Sequence, residues 1–340
     1  MRLTKQVRAG LTALALAIAA MLPDAALAWG ATGHRIVTLA ALGALPPELP
    51  AFLRDRAVAA DIAELSREPD RWRGSGRIHD NDRDGAHFLD LQADGTIAGG
   101  PTLADLPPTR AAYAAALRAV NTDEAAAGYL PYAIIDAWQQ LTKDLAYWRA
   151  VKAAEAHAED PARKAWLAAD RVRRETLTTR DLAVLAHYVA DASMPLHVTD
   201  RHAGWTGENP RGFATSHVHA PIEGAFVRAS LSAPMVSGRL MAARDCSCWI
   251  GTRTKAFLQA SAALVLPLYE LEKAGGFRPG DPRGVDFLAG RLSAGASELR
   301  DMIGMAWNAS GQATVGYPVL SVADIEAGKV DPYDSLYGLD

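Results

Sequence analysis

The stretch Ala186-His187-Tyr188-Val189-Ala190-Asp191-Ala192-Ser193-Met194-Pro195-Leu196-His197 sets two demands on one helix. His187 and Asp191 are four residues apart, so on a helix they differ by about 40° around the axis and project together. Leu182, Leu185 and Val189 fall on the other side and supply an apolar face. Met194-Pro195 then ends the helix, because proline lacks the backbone N–H and restricts the residue before it. A further histidine, His197, follows the stop. An imidazole and a carboxylate on one helix face, with a second imidazole just beyond it, make a metal-ligand arrangement. Taken alone, the His187/Asp191 pair more often makes a local hydrogen bond.

The helical period holds over most of the chain. Alanine- and leucine-rich segments predict helices over Arg110–Val120, Ile134–Ala158, Thr179–Ser193, Thr254–Ala274 and Val285–Ala306. Strand signals are scarce. The segments Gly74–Gly85, Asp94–Pro108, Ala203–Phe213 and Gly275–Gly284 are rich in turn-forming residues and read as loops. The fold class is therefore all-α, a single large multi-helix domain over residues 29–309. Residues 310–340 form a tail without periodicity that wraps the surface or frays.

Residues 1–28 read as a signal peptide: Arg2, Lys5 and Arg8, an apolar run from Leu11 to Leu22, then Ala26-Leu27-Ala28. Pro23 and Asp24 interrupt the run before a bilayer is spanned, which argues against a stable membrane anchor. Cleavage after Ala28 makes Trp29 the first residue of the mature chain and sends it to the periplasm or out of the cell. The formal net charge of −4 becomes −6, because three positive charges and one negative leave with the peptide. No general basic surface is available for a polyanion. Cys246-Ser247-Cys248 holds the only two cysteines, a local staple or an interchain link. No protein partner is indicated.

Three more clusters carry candidate ligands. His219 and Glu223 repeat the i,i+4 pairing, with Pro221 acceptable in a first helical turn; His217 is out of register with them. Glu68-Pro69-Asp70-Arg71-Trp72-Arg73 and Ala86-His87-Phe88-Leu89-Asp90 add a carboxylate, an imidazole and a guanidinium, with Asp61 a rival carboxylate. Trp29-Gly30-Ala31-Thr32-Gly33-His34 opens the mature chain, where a free α-amino group and the Trp29 carbonyl oxygen can chelate a dication.

In this order, Trp-Gly-x-x-Gly-His, Asp-x-x-Arg, His-Phe-x-Asp, His-x3-Asp-x5-His and His-x3-Glu resemble the motifs of the S1/P1 nuclease and zinc phospholipase C superfamily. Five of the nine histidines fall on these positions. The resemblance implies three zinc ions per chain. Asp70, His87, His187 and Asp191 would hold the first; His197, His219 and Glu223 the second; Trp29, His34 and the shared Asp191 the third. It further implies hydrolysis of phosphodiesters by metal-activated water, Arg73 stabilising phosphoryl charge, Asp90 orienting the attacking water and Phe88 stacking a base. Imidazole, carboxylate and amine without thiolate suit zinc at an open site. Three dications against three carboxylates leave about +3 at the pocket, which offsets the acidic surface.

The resemblance points first to a nuclease acting on single-stranded DNA or RNA, and on 3′-nucleotides, with 5′-phosphate products. A zinc-dependent phospholipase C or another phosphohydrolase is the alternative. Glu223 in place of aspartate matches the phospholipase branch, and Gly204-Trp205-Thr206-Gly207-Glu208-Asn209-Pro210 departs from the nuclease loop between two ligands.

Overall fold

The computed structural model describes residues 29–338, so the signal-peptide reading lies outside the described residues. Among the described residues, nine helices of eight or more residues carry the architecture: α1 (Ala31–Leu42), α2 (Arg56–Leu65), α3 (Arg77–Asp84), α4 (Arg110–Arg118), α5 (Leu130–His157), α6 (Pro161–Ser193), α7 (Ile250–Ala262), α8 (Val265–Lys273) and α9 (Pro282–Ser310). A two-stranded antiparallel hairpin, Thr314–Val315 with Leu320–Ser321, is the only sheet among the described residues. No described helix is long and apolar enough to cross a membrane.

The spine is the antiparallel pair α5 and α6. Asp160 starts α6 by accepting the Arg163 N–H at 2.8 Å, and Pro161 occupies the first helical position, where its missing N–H costs nothing. The helix begins eighteen residues before the Thr179 expected from its apolar half. Its early turns are polar and held at the surface, with Arg171 paired to Glu155 at 2.7 Å and to Glu175 at 2.9 Å. From Asp181 to Ser193 every residue except Val184 is buried, so the His187/Asp191 face is enclosed as fully as the apolar one.

The expected helix Thr254–Ala274 is two helices, α7 and α8. Pro267 accounts for the break, because its ring excludes the helical carbonyl of Ala263. The expected loop Gly74–Gly85 contains α3, which buries none of its residues and is tied locally by Arg83 donating to His79 and by Asp80 accepting from the Gly74 and Ser75 amides. Helix α9 packs on α1, α5 and α6, and Trp138 on α5 donates to the Met302 carbonyl at 2.9 Å. Leu141, Leu182, Val189, Leu292 and Met302 belong to one core, each worth about 1.5–3 kcal/mol on full burial. The segment after Ser310 lies against α5, with Val315, Val322 and Ile325 buried beside Ala146 and Ala150. Cys246 and Cys248 are bonded to each other.

Candidate metal centre

The buried end of α6 meets four separate pieces of chain. Trp29 is fully buried, and its indole N–H donates to Ala190 O at 2.7 Å and Ser193 Oγ at 3.1 Å on the last turn of α6. Gly30 lies against the Glu223 backbone, where an added Cβ would stand 3.4 Å from Glu223 O. The N-terminal segment is thus wedged between α6 and the turn that carries Glu223. That turn, Pro221–Phe226, is a π-helix, a rare local widening often found at functional sites. His87 and Phe88 follow α3 and are backed by Gly128, whose φ of 73° and lack of a side chain are both required. A Cβ there would meet Phe88 O at 2.1 Å.

Three groups of ligand atoms converge, each within 4.8 Å of one another: His34, His187 and Asp191; Asp70, His87 and His187; His197, His219 and Glu223. His187 belongs to two of them. Its Nε2 is 2.9 Å from His87 Nδ1 and 3.2 Å from Asp191 Oδ2, and His87 Nδ1 is 3.1 Å from the same carboxylate oxygen. His34 Nε2 stands 3.6 Å from Asp191 Oδ1 and 3.9 Å from Asp70 Oδ2. In the third group His219 Nε2 is 3.1 Å from His197 Nε2 and 2.8 Å from Glu223 Oε2, and His197 Nε2 is 3.4 Å from Glu223 Oε1. Tetrahedral ligands at about 2.0–2.1 Å from zinc lie about 3.3–3.4 Å apart, so these spacings match the edges of coordination polyhedra.

Backbone carbonyls aim the rings. His187 Nδ1 lies 2.8 Å from Ser66 O at the end of α2, and His197 Nδ1 lies 2.6 Å from His87 O. A carbonyl only accepts, so each Nδ1 carries a proton and each Nε2 is the nitrogen turned to the cluster, free to offer its lone pair to a cation that displaces any second proton.

Several buried atoms here have no hydrogen-bond partner: both ring nitrogens of His34, Asp70 Oδ1, Asp191 Oδ1 and His219 Nδ1. Each such orphan costs about 1–3 kcal/mol, and cations between them would satisfy several together. The donor set fits a metal on this ground.

The titration pattern agrees. Burial, with His187 adding to it, holds His34 well below the ordinary imidazole range, and burial brings His87 down to about 3. Burial also opposes charge on His197, but Asp191 and Glu223 outweigh it and hold that ring up to about 9. Asp191 is held well below the carboxylate range, because His187 and His197 outweigh its burial. Without cations the cluster keeps protons to offset its carboxylates, and metal binding displaces them.

The other expected residues surround these groups. Asp70, with a largely buried carboxylate, joins His87 and His187, whereas Asp61 is exposed and joins none of the groups. Arg73 Nε pairs with Asp84 Oδ1 at 2.9 Å, and its charge reaches Asp70 and His87. Phe88 is half-buried with its ring centroid 6.2 Å from that of His202. Asp90 Oδ1 is 3.8 Å from His202 Nδ1, and burial, followed by the charge of Asp200, pushes Asp90 up to about 7. His217 is exposed and outside the three groups. Sequence reasoning missed His202, Asp200, Asp84 and the Ser66 carbonyl. His202 and Asp200 had one usable signal, their place in the loop directly after His197.

No family model and no curated protein matches the chain. Among solved structures, the alpha-toxin of Clostridium perfringens isolated from avian strain SWCP is similar over 85% of this chain and 68% of that one, at 14% identity and a TM-score of 0.38. A likeness that loose bears on no residue here.

Proposed function

We propose that this chain is a zinc-dependent phosphohydrolase acting on phosphodiesters. The carrying observation is the convergence of three ligand groups around orphaned buried nitrogens and oxygens, two of the groups sharing His187. Asp70, His87, His187 and Asp191 hold one zinc; His197, His219 and Glu223 a second; His34, Asp191 and Trp29, through its freed amine and carbonyl oxygen, a third. Bound there, zinc supplies Lewis acidity toward a phosphoryl oxygen and activates water near neutral pH. Arg73, kept in place by Asp84, donates to a phosphate oxygen, a role suited to a fixed guanidinium. Asp90, poised near neutrality, takes or returns a proton at Oδ1 and orients the attacking water.

Single-stranded DNA or RNA is the substrate we place first, cleaved to 5′-phosphates. Support comes from Phe88, a half-buried ring beside the ligands that offers a face for a base. A phospholipase C is the second reading, favoured by Glu223 and by the unusual loop after Ala203. In that loop Trp205 is turned onto Phe213 and Tyr269 beneath Arg201. The test is to purify the chain from Trp29 and assay single-stranded DNA, RNA and phosphatidylcholine side by side, with and without chelator. Chelator-sensitive cleavage of nucleic acid is expected. Cleavage of lipid with inert nucleic acid overturns the substrate, and hydrolysis of none of the three overturns the reading itself.

A further inference from the structure

A cavity of about 540 Å³ opens between α3, α5, α6 and Trp249. Its lining adjoins the metal centre at three points. Trp72 follows Asp70 by two residues, Ala86 precedes His87, and Tyr188 follows His187. The Tyr188 ring stands edge-on to both histidines, with centroids 5.7 Å from His87 and 5.3 Å from His187.

The walls are aromatic and charged, with the guanidinium groups of Arg83, Arg110 and Arg180 set against the carboxylates of Asp136 and Asp181. Arg110 lies 3.7 Å over the Tyr129 ring with its Nε paired to Glu124 at 2.6 Å, which leaves its terminal nitrogens for a ligand, and Arg83 lies 5.5 Å from the Trp72 centroid with its Nε donating to His79. Trp249 contributes a ring that is 52% exposed, a large apolar surface left to solvent at the cavity mouth. Branched aliphatic lining is confined to Ile135 and Val184. An acyl chain calls for continuous aliphatic surface, whereas π-faces interleaved with guanidinium groups suit bases and phosphates. In a chain with a formal charge of −4, a strand must be gripped at a few such places.

We propose that this cavity is a strand-binding subsite that takes a base and its adjacent phosphate from single-stranded nucleic acid whose neighbouring phosphodiester lies at the metal centre. The assignment rests on the phosphodiesterase reading and names its substrate class. Trp249 and Trp72 supply the stacking faces, and Arg83 and Arg110 supply the contacts to phosphate.

The test uses zinc-loaded chain and a fluorescein-labelled octathymidylate with phosphorothioate linkages, followed by anisotropy. Trp249→Ala, at an exposed ring, and Arg83→Gln are compared with the unaltered protein. Each substitution is expected to weaken the Kd about tenfold, in line with the loss of one stacked base or one phosphate contact. Unchanged Kd values in both variants overturn the subsite, as does binding of phosphatidylcholine vesicles through Trp249 by a protein that ignores the oligonucleotide. Turnover of bis(p-nitrophenyl) phosphate by the unaltered protein reports the phosphodiesterase reading separately. Its absence removes that reading, and the subsite with it, whereas its presence beside unchanged Kd values removes the subsite alone.

Discussion

His187 Nε2 stands 2.9 Å from His87 Nδ1, and Ser66 O holds the opposite nitrogen of the same ring at 2.8 Å. With Nδ1–H committed to that carbonyl, Nε2 is the nitrogen that faces His87 and Asp191. His187 is also the one residue common to two ligand groups.

In the proposed assignment Asp191 is the ligand that serves two zincs, with Oδ2 toward His87 and His187 and Oδ1 toward His34, which makes it the most costly to remove. Asp191→Ala is expected to lower bound zinc by more than one ion per chain and to cut hydrolysis by more than about 10²-fold. His219→Ala, in a single group, should lose about one. Mass-spectrometric zinc counts on the two purified variants check the difference, and equal losses would count against a shared ligand.

Asp70 and Asp61 were rival carboxylates in the sequence, and their burial separates them. Asp70→Asn should lose zinc and activity, while Asp61→Asn, at an exposed position, should stay within about 0.5 kcal/mol of the unaltered stability and keep its zinc. A zinc-deficient Asp61→Asn protein would reverse the assignment.

The Trp29 indole donates to Ala190 O and Ser193 Oγ in a fully buried setting. Trp29→Phe keeps a ring and removes the donor, so it should cost about 1–3 kcal/mol of stability. Chemical denaturation measures the loss. A variant as stable as the parent would mean that these hydrogen bonds do not seat the N-terminal segment.

Away from the centre, Asp144 on α5 is buried beside Asp181 on α6. Burial first, then the hydrogen bond and charge of Asp181, raise its pKa to about 8. The folded chain therefore binds this proton more tightly than the unfolded chain, whose aspartate titrates near 4. The stability it contributes is complete below about pH 4 and is lost as pH rises toward 8. Asp144→Asn should flatten that slope and raise the melting temperature at pH 8 by about 2–4 °C for each kcal/mol recovered. Melting curves at pH 5 and pH 8 for both proteins decide it, and parallel pH dependences would refute the shared proton.

Much of this was legible in the chain because the ligands come in short local spacings. His187 with Asp191 and His219 with Glu223 declare a common face by counting alone, and their neighbours Leu182 and Val189 declare the core. What counting could not supply was long-range. The Ser66 carbonyl reaches His187 from 121 residues away, and the His87 carbonyl reaches His197 from 110. Backbone acceptors leave no mark on residue type. The first half of α6 is polar and carries no apolar period, so only its Asp160-Pro161 start signal marks it in the sequence. The break at Pro267 was legible in principle, and the strong apolar run around it masked the proline.

The central claim is a three-metal centre completed by the processed N-terminus, and its most direct test is the zinc content of the chain beginning at Trp29, measured beside a version with one residue added before it. The account predicts three zinc ions per chain in the first and two in the second, with hydrolysis falling together with the lost ion. Three ions and full activity in the extended chain would contradict the role of Trp29, and a chain beginning at Trp29 that binds no zinc would contradict the centre as a whole.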